Sequence, residues 1–285
     1  MIAVRLEGRL GNQLFQYAFA YATAKKLNTS FYLDKSVDNF LLPKYFEVKQ
    51  DFAAALDQNV FAIRGFKNFF QVYLRKGFYG VLKAVCFGNK TTKVGNEDAP
   101  AVALQELKNN RFYIGYFQSV SYFVDFSEDI RNLFQVRPNF AGAFKNVWQE
   151  MQKDKKKAVV HIRRGDYVDL NMSLPASYYR AAIAALGTEG IQYIFISDDP
   201  DFVRKEFEYV ENAYISTHSE IIDLQLLAHA DFCILSNSSF SWWGAWLNNN
   251  PQKKIFAPKY WVGFKEKREF PVGIGDTLDI NWITV

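Results

Sequence analysis

Apolar and polar positions fall in blocks along this chain. The first apolar block, "IAVRL" (2–6), is short enough for a strand, and a polar, glycine-bearing loop, "EGRLGNQ", follows it. The stretch "NQLFQYAFAYATAKKL" then runs to Leu27 without Gly or Pro. It is apolar on nearly every side, through Leu14, Phe15, Ala18, Phe19 and Ala22, which predicts a buried helix. "SFYLD" (30–34) predicts the next strand, so the chain opens as the start of a parallel sheet. "RFYIGYF" (111–117) predicts a further strand and "SVSYFVDFSEDIRNLF" a helix. "QKDKKKA" (152–158) breaks the pattern with charge and marks a boundary between an N-terminal domain, 1–152, and a C-terminal domain, 153–285.

Beyond that break the alternation is regular. "AVVHIR" predicts a strand, and "PASYYRAAIAALG" a helix with Pro at its start and Gly at its end. "YIFIS" and "DPDFVRKEFE" follow as strand and helix, then "AYIS" and "EIIDLQLLAHA", then "FCILS" and "SSFSWWGAWLNN". "KKIFAP" predicts the last strand. Successive β-α units predict an α/β chain with a doubly wound parallel sheet, whose ligands sit at the carboxyl ends of the strands.

Composition narrows the class. Hydrophobic residues make up 49% of 285 and charged residues 22%, so a packed core is expected and disorder is not. The net charge of +4 suits an anionic ligand but is too weak for a nucleic-acid binder. Cys86 and Cys233 stand far apart in apolar contexts, and together with the three histidines they show no zinc spacing. They predict buried thiols in a reducing compartment. No signal peptide is legible and no apolar run is long enough to cross a bilayer, so a cytoplasmic protein is expected. One charge run stands out. Residues 58–96 contain seven Lys or Arg and no Asp or Glu, interleaved with aromatics. The plainer reading is a helical insertion with a solvated basic face. The sharper one is a surface that meets anionic lipid or an acceptor carried on lipid.

Four segments carry candidate chemistry. In "HIRRGDYV" (161–168), strand geometry points His161 and Arg163 one way and Arg164 the other. Asp166 can neutralise one arginine, which leaves the second for a ligand, and Gly165 lets the backbone approach it. The planar guanidinium fork suits phosphate, so a diphosphate is a better partner than a single carboxylate. "RGD" (164–166) also spells an adhesion tripeptide, but it abuts a buried strand. In "SNSSFSWWGAWLN" (236–248), Ser238 and Ser239 sit where a helix begins, either as caps or as a phosphate site, while Trp242, Trp243 and Trp246 read as core. In "IFISDDPDF" (194–202), Asp199 and Asp201 formally spell D-x-D. The preferred reading is Asp199 as an N-cap with Pro200 at the first helical position, leaving Asp198 to bond a ribose or a base edge. In "GRLGNQLFQYAFA" (8–20), Gly8 and Gly11 flex a strand-to-helix loop that carries Arg9, Asn12 and Gln13. It is neither a Walker loop nor a full dinucleotide fingerprint.

Together "GRLGNQLFQYAFAYA", "HIRRGDYV", "FISDD" and "SNSSFSWWGAWLN" resemble, in order, the motifs of the bacterial α-1,2-fucosyltransferases, glycosyltransferase family 11. The resemblance spans nearly the whole chain except about 35–110. It implies a GT-B-like fold of two Rossmann-like domains, with the donor site in the C-terminal half. It further implies GDP-L-fucose as donor, inversion at the anomeric carbon, no metal or other cofactor, and a galactose-containing glycan as acceptor. Carried over by residue, Arg163 and Arg164 meet the diphosphate, His161 and Asp198 the guanosine, and Ser238 and Ser239 the phosphates. Arg9, Gly11, Asn12 and Gln13 lie on the acceptor side, with Asn12 near the transferred sugar. For the proton that the acceptor must lose, the sequence offers Asp166, Glu7 and Asp34, and the resemblance chooses none of them. Other nucleotide-sugar donors and a non-catalytic nucleotide- or carbohydrate-binding protein stay open.

Overall fold

A computed structural model describes residues 1–38, 40–48, 69–211, 213–276 and 278–285. They divide into two compact units, Met1–Val136 and Arg137–Val285. The helix Pro138–Gln149, which precedes the charged break at 152, belongs to the second unit: Phe144 and Trp148 pack at a tilt against the His229 ring there, with ring centroids 4.6 and 6.0 Å away.

The first unit holds four parallel strands, β1 (Ile2–Arg5), β2 (Phe31–Asp34), β3 (Thr91–Lys93) and β4 (Arg111–Ile114), in the order β2-β1-β4-β3. Ile2 stands opposite Phe31 on one side and Arg111 on the other. The helix Leu10–Lys26 is buried along fourteen of its seventeen residues, as its unbroken apolar pattern predicts. Phe19 stacks on Phe117 at 3.7 Å and meets Tyr113 and Tyr122 edge-on.

Two expectations fail here. The segment 119–134 is not one helix. It forms two single turns of 3-10 helix, Val120–Tyr122 and Val124–Phe126, before the helix Ser127–Leu133. Its apolar residues Val120, Tyr122 and Phe123 are all buried, a spacing that a 3.6-residue period does not supply. The polar edge strand Thr91–Lys93 was hidden inside the basic run because it carries no apolar alternation. Of that run, 58–68 lie outside the described residues; the helix Phe69–Phe87 accounts for much of the rest.

The second unit holds six parallel strands: β5 (Lys156–Ile162), β6 (Ile191–Ser197), β7 (Tyr214–Ile215), β8 (Phe232–Ile234), β9 (Lys254–Pro258) and β10 (Ile280–Ile283). Their order is β10-β9-β8-β5-β6-β7. β10 extends the sheet one strand beyond the predicted last strand, in register with β9 from Ile280↔Ile255 to Ile283↔Pro258. The chain builds outward from β5 through β6 to β7, then returns to β5's other side and builds the opposite way. The reversal lies between β5 and β8, which pair through Ala158↔Phe232, Val159↔Cys233 and Val160↔Ile234. Crevices at the carboxyl ends of strands flanking such a reversal are where open α/β sheets take ligands. Trp242, Trp243 and Trp246 are core, packed ring to ring at 5.2–6.2 Å. Cys86 and Cys233 are free thiols, Cys233 buried and Cys86 half-buried.

Candidate functional site

The two strands beside the reversal end in the two richest motifs. β5 delivers His161 and then Arg163 and Arg164; β8 delivers Ser236 to Ser239. A buried hydrogen bond joins the two banks, since His161 Nδ1 lies 2.7 Å from Ser236 Oγ. Burial, with Arg163 beside it, pushes the His161 imidazolium pKa down to about 3. The ring is therefore neutral throughout the physiological range, a hydrogen-bonding group and not a cation. Tyr167 adds a second link by donating its hydroxyl to the Asn237 carbonyl at 3.4 Å.

Both arginines have carboxylate partners, which corrects the expectation that one of them stands unaccounted for. Arg163 pairs with Asp166 and, at 2.5 Å, with Asp198 Oδ2, and its guanidinium lies over the Tyr167 ring. Arg164 donates through Nε to Asp199 Oδ2 at 3.2 Å and through a terminal nitrogen to Ser173 Oγ at 3.4 Å. Its guanidinium stacks 3.9 Å from the Phe202 ring centroid. Asp198 is thus not left over for a ribose. One oxygen holds Arg163 and the other accepts the Arg164 amide at 2.8 Å. Gly165 serves this contact, because a Cβ there would lie 2.6 Å from Asp198 Oδ2. The close approach that its missing side chain permits is to a carboxylate of the chain itself.

Asp199 caps the helix Pro200–Glu206 as expected. Its Oδ1 accepts from the Phe202 amide at 3.0 Å with Pro200 in the first turn. That bond, and Arg164 beside it, hold its carboxyl below the usual range. Asp201 is almost fully exposed and pairs with Arg204. The D-x-D spelling is accounted for by a cap and a surface pair.

Across the reversal, Ser238 precedes the helix Ser239–Leu247 with extended backbone, and its side chain makes no cap hydrogen bond. Plain capping does not explain the serine; its carbonyl instead takes the Ser241 hydroxyl at 3.0 Å. Beside the motif, Asn237 Nδ2 donates to the Met172 carbonyl at 2.9 Å. Met172 lines a cavity of about 640 Å³ together with Asn171, Val262, Lys265, Arg268 and Phe270. Residues 170–172 follow β5 and residues 262–270 follow β9, so the cavity opens at the carboxyl edge of the sheet.

Sequence reasoning passed over one group on this edge. Asp223, in the first turn of the helix Glu220–His229, accepts from Ser216 Oγ at 2.5 Å, and Ser216 directly follows β7. Burial, with Glu220 adding to it, raises the Asp223 carboxyl to about 7. The available signal was an acid set into the apolar run "EIIDLQLL".

In the first unit the glycine loop lies at the carboxyl end of β1. Gly8 has φ +83°, and a Cβ on it would meet Asn12 Nδ2 at 2.4 Å. Arg9 is exposed, while Asn12 is half-buried and accepts from Gln118 Nε2 at 2.9 Å. Gln13 is fully buried. Its amide donates to the Gly8 carbonyl at 3.1 Å and accepts from the Leu41 amide at 2.9 Å, which makes it a loop fastener. Gly11 is buried within the helix. The three carboxylates offered for proton removal all hold donors of the chain: Glu7 pairs with Arg5, Asp34 accepts from the Ser36 amide, and Asp166 holds Arg163.

Comparison with known proteins agrees with this arrangement. Residues 1–283 match glycosyl transferase family 11. The chain is 28% identical to an alpha-1,2-colitosyltransferase of Escherichia coli, over 100% of this chain and 99% of that protein. It is equally 28% identical to the O-antigen biosynthesis glycosyltransferase WbnK of the same organism, over 98% and 99%. Among solved structures it is similar to NodZ alpha-1,6-fucosyltransferase co-crystallized with GDP, at a TM-score of 0.52 and 14% identity over 86% of this chain and 91% of that one. The fold is accordingly GT-B-like, an α/β architecture of two Rossmann-like units.

Proposed function

The chain belongs to glycosyl transferase family 11, and from that premise we propose that it transfers L-fucose from GDP-β-L-fucose to the 2-hydroxyl of a terminal β-galactoside on a glycan, with inversion and without a metal. The observation that carries this reading is the strand reversal between β5 and β8, with two arginines on one bank and the serine-led end of a nine-residue helix on the other. A diphosphate placed there meets guanidinium forks from one side and the positive, amino end of the helix from the other. On this reading His161 meets the nucleoside and Ser238 and Ser239 the phosphates, while Asp198 holds Arg163 and the Arg164 amide. Arg9 and Asn12 are the acceptor-side residues whose exposure suits that task; Gly11 and Gln13 shape the loop that bears them.

In the reaction the bond between the sugar's anomeric carbon and the phosphate oxygen breaks. The acceptor oxygen bonds that carbon from the opposite face and gives up its proton to solvent water. Negative charge grows on the leaving GDP while the sugar ring becomes cation-like. Arg163 is the group placed to stabilise that charge. Its Asp166 partner is 49% exposed and three residues away, a surface pair worth about 1 kcal/mol or less, which a diphosphate can displace. Asp198 keeps the same guanidinium aimed after the exchange. Stabilisation that grows with the developing charge raises the rate and not merely the affinity. The arginines and the helix end supply the positive charge that a metal would otherwise bring, and the D-x-D acids are already committed to a cap and a surface pair.

A second donor has a specific observation behind it, since one relative is an alpha-1,2-colitosyltransferase. Colitose lacks the 3-hydroxyl of fucose, so a site that bonds that hydroxyl would discriminate by about 10⁴-fold. The test is GDP release from GDP-fucose and GDP-colitose in EDTA, with and without lactose. Acceptor-stimulated release from GDP-fucose is expected, along with inhibition by GDP and not by UDP. Arg163→Ala should lower the rate roughly 10²–10³-fold. Release that requires a divalent ion, or an Arg163→Ala variant with near-full transfer, would overturn the reading.

A further inference from the structure

One side chain touches both banks of the strand reversal. Tyr167 belongs to the short helix Gly165–Asp169, and the Arg163 guanidinium lies over its ring, 5.4 Å from the centroid. Its hydroxyl reaches across to the Asn237 carbonyl at 3.4 Å, one residue before Ser238. Its own carbonyl accepts two amides, from Met172 at 2.8 Å and Ser173 at 3.0 Å. The Met172 carbonyl in turn takes Asn237 Nδ2 at 2.9 Å. These bonds close a ring, from Tyr167 to Asn237 to Met172 and back to Tyr167. Asn237 is 1% exposed, so its half of the crossing is shielded from water. Ser173 extends the frame to the second arginine by accepting from Arg164.

The carboxylates Asp166 and Asp198 hold Arg163 by the edge of its guanidinium, because the N–H donors lie in the plane of the fork. Edge bonds do little against tilting out of that plane. An aromatic face supplies the missing restraint, and guanidinium groups stack on such faces. The ring is also neutral, so a diphosphate that displaces Asp166 does not compete for it. We propose that Tyr167 is a positioning residue for the transfer reaction. Its ring keeps the Arg163 guanidinium in place while Asp166 gives way, and its hydroxyl ties that arginine to the start of the helix Ser239–Leu247. This rests on the reading that Arg163 meets the diphosphate. The strand end that bears the arginines and the turn that bears the serines then keep one spacing, because the hydrogen-bonded ring joins them. The rival role is a tyrosine that only supports the fold. Such a residue costs the same whatever stands at 163, whereas a positioning residue acts only through the arginine.

A double-mutant cycle separates the two roles. GDP release from GDP-fucose with lactose is measured for the wild type, Tyr167→Leu, Arg163→Ala and the double variant, beside thermal melts. Tyr167→Leu should lower kcat about tenfold and leave the KM for the donor within about twofold. Added to Arg163→Ala, it should cost less than about twofold more, since the group it positions is gone. Tyr167→Phe keeps the ring and loses one long hydrogen bond, so kcat should return to within about threefold of the wild type. Tyr167→Gln carries the same expectation as Tyr167→Leu and suits the half-exposed position should the leucine variant fail to fold. An equal loss in both backgrounds would overturn the inference. So would full activity in Tyr167→Leu, or a Tyr167→Phe as impaired as Tyr167→Leu. Near-full transfer by Arg163→Ala overturns the reading itself, which tells the two failures apart.

Discussion

Acidification should separate two buried groups in the second unit that pull stability in opposite directions. His161 ionises in the fold only near pH 3, against 6.5 for an ordinary imidazole. As pH falls below 6.5 the unfolded chain takes a proton that the folded chain refuses, so stability is complete above 6.5 and is lost on the way down. Between pH 7 and pH 5 the loss is about 2 kcal/mol, and it needs only a folded value below 5. Asp223 works the other way. Its folded value of about 7, against 3.8, lets the folded state take a proton first, so stability rises as pH falls through 7 toward 3.8. The gain over the same interval is again about 2 kcal/mol at most, because Asp223 is not fully buried. The wild type should therefore change by less than about 1 kcal/mol between pH 7 and pH 5. Asp223→Asn should expose the full loss, and adding His161→Gln should remove it. Urea unfolding followed by tryptophan fluorescence reads this unit alone, since all six tryptophans lie in it. An Asp223→Asn variant with the wild-type acid profile, or a His161 ring resonance that titrates between pH 5 and 7, would refute the reasoning.

Gly165→Ala should keep the fold and injure the reaction. Its Cβ would press on Asp198 Oδ2 at 2.6 Å and turn the Arg163 fork, so kcat/KM should fall about 10–100-fold with little change in thermal midpoint; steady-state kinetics beside a melting curve checks this. Gly244→Ala should do the reverse. Its Cβ would sit 2.4 Å from Leu227 Cβ, between the helices Glu220–His229 and Ser239–Leu247, and should cost about 1–3 kcal/mol of stability by urea unfolding.

The parallel sheets, the buried first helix, the tryptophan core and the Asp199 cap were legible because each rests on local pattern: apolar runs, period 3.6, or a cap beside a proline. What the sequence concealed was pairing across distance. "HIRRGDYV" reads as two arginines with one neighbouring acid. The two acids that complete it, Asp198 and Asp199, arrive from the end of β6, thirty-five residues on, brought there only because β5 and β6 pair from Lys156↔Ile191 to Ile162↔Ser197. Gln13 looked like a ligand group because its burial is decided by Gly8 and Leu41, which local pattern does not connect to it. β3 and the turns at 120–126 were missed because tertiary packing, not periodicity, sets them.

That hidden pairing changes what the double arginine means. Arg163 and Arg164 face three carboxylates, Asp166, Asp198 and Asp199, so the motif is not a bare cationic trap. Its two members differ in how firmly they are held. Arg164 stacks on Phe202, meets Ser173 and pairs with an acid that is itself fixed as a helix cap, so the residue anchors the end of β5 to the helix that follows β6. Arg163 has one partner in Asp198, itself fixed by the Arg164 amide, and one in the exposed Asp166. The firm pair sets its direction and the loose pair can be exchanged for phosphate. Preorganisation of this kind lowers the reorganisation needed when charge moves onto the leaving group, because the guanidinium is aimed before substrate arrives. It also explains why Gly165 must be glycine: the residue between working arginine and loose acid has to let Asp198 reach both sides of the turn.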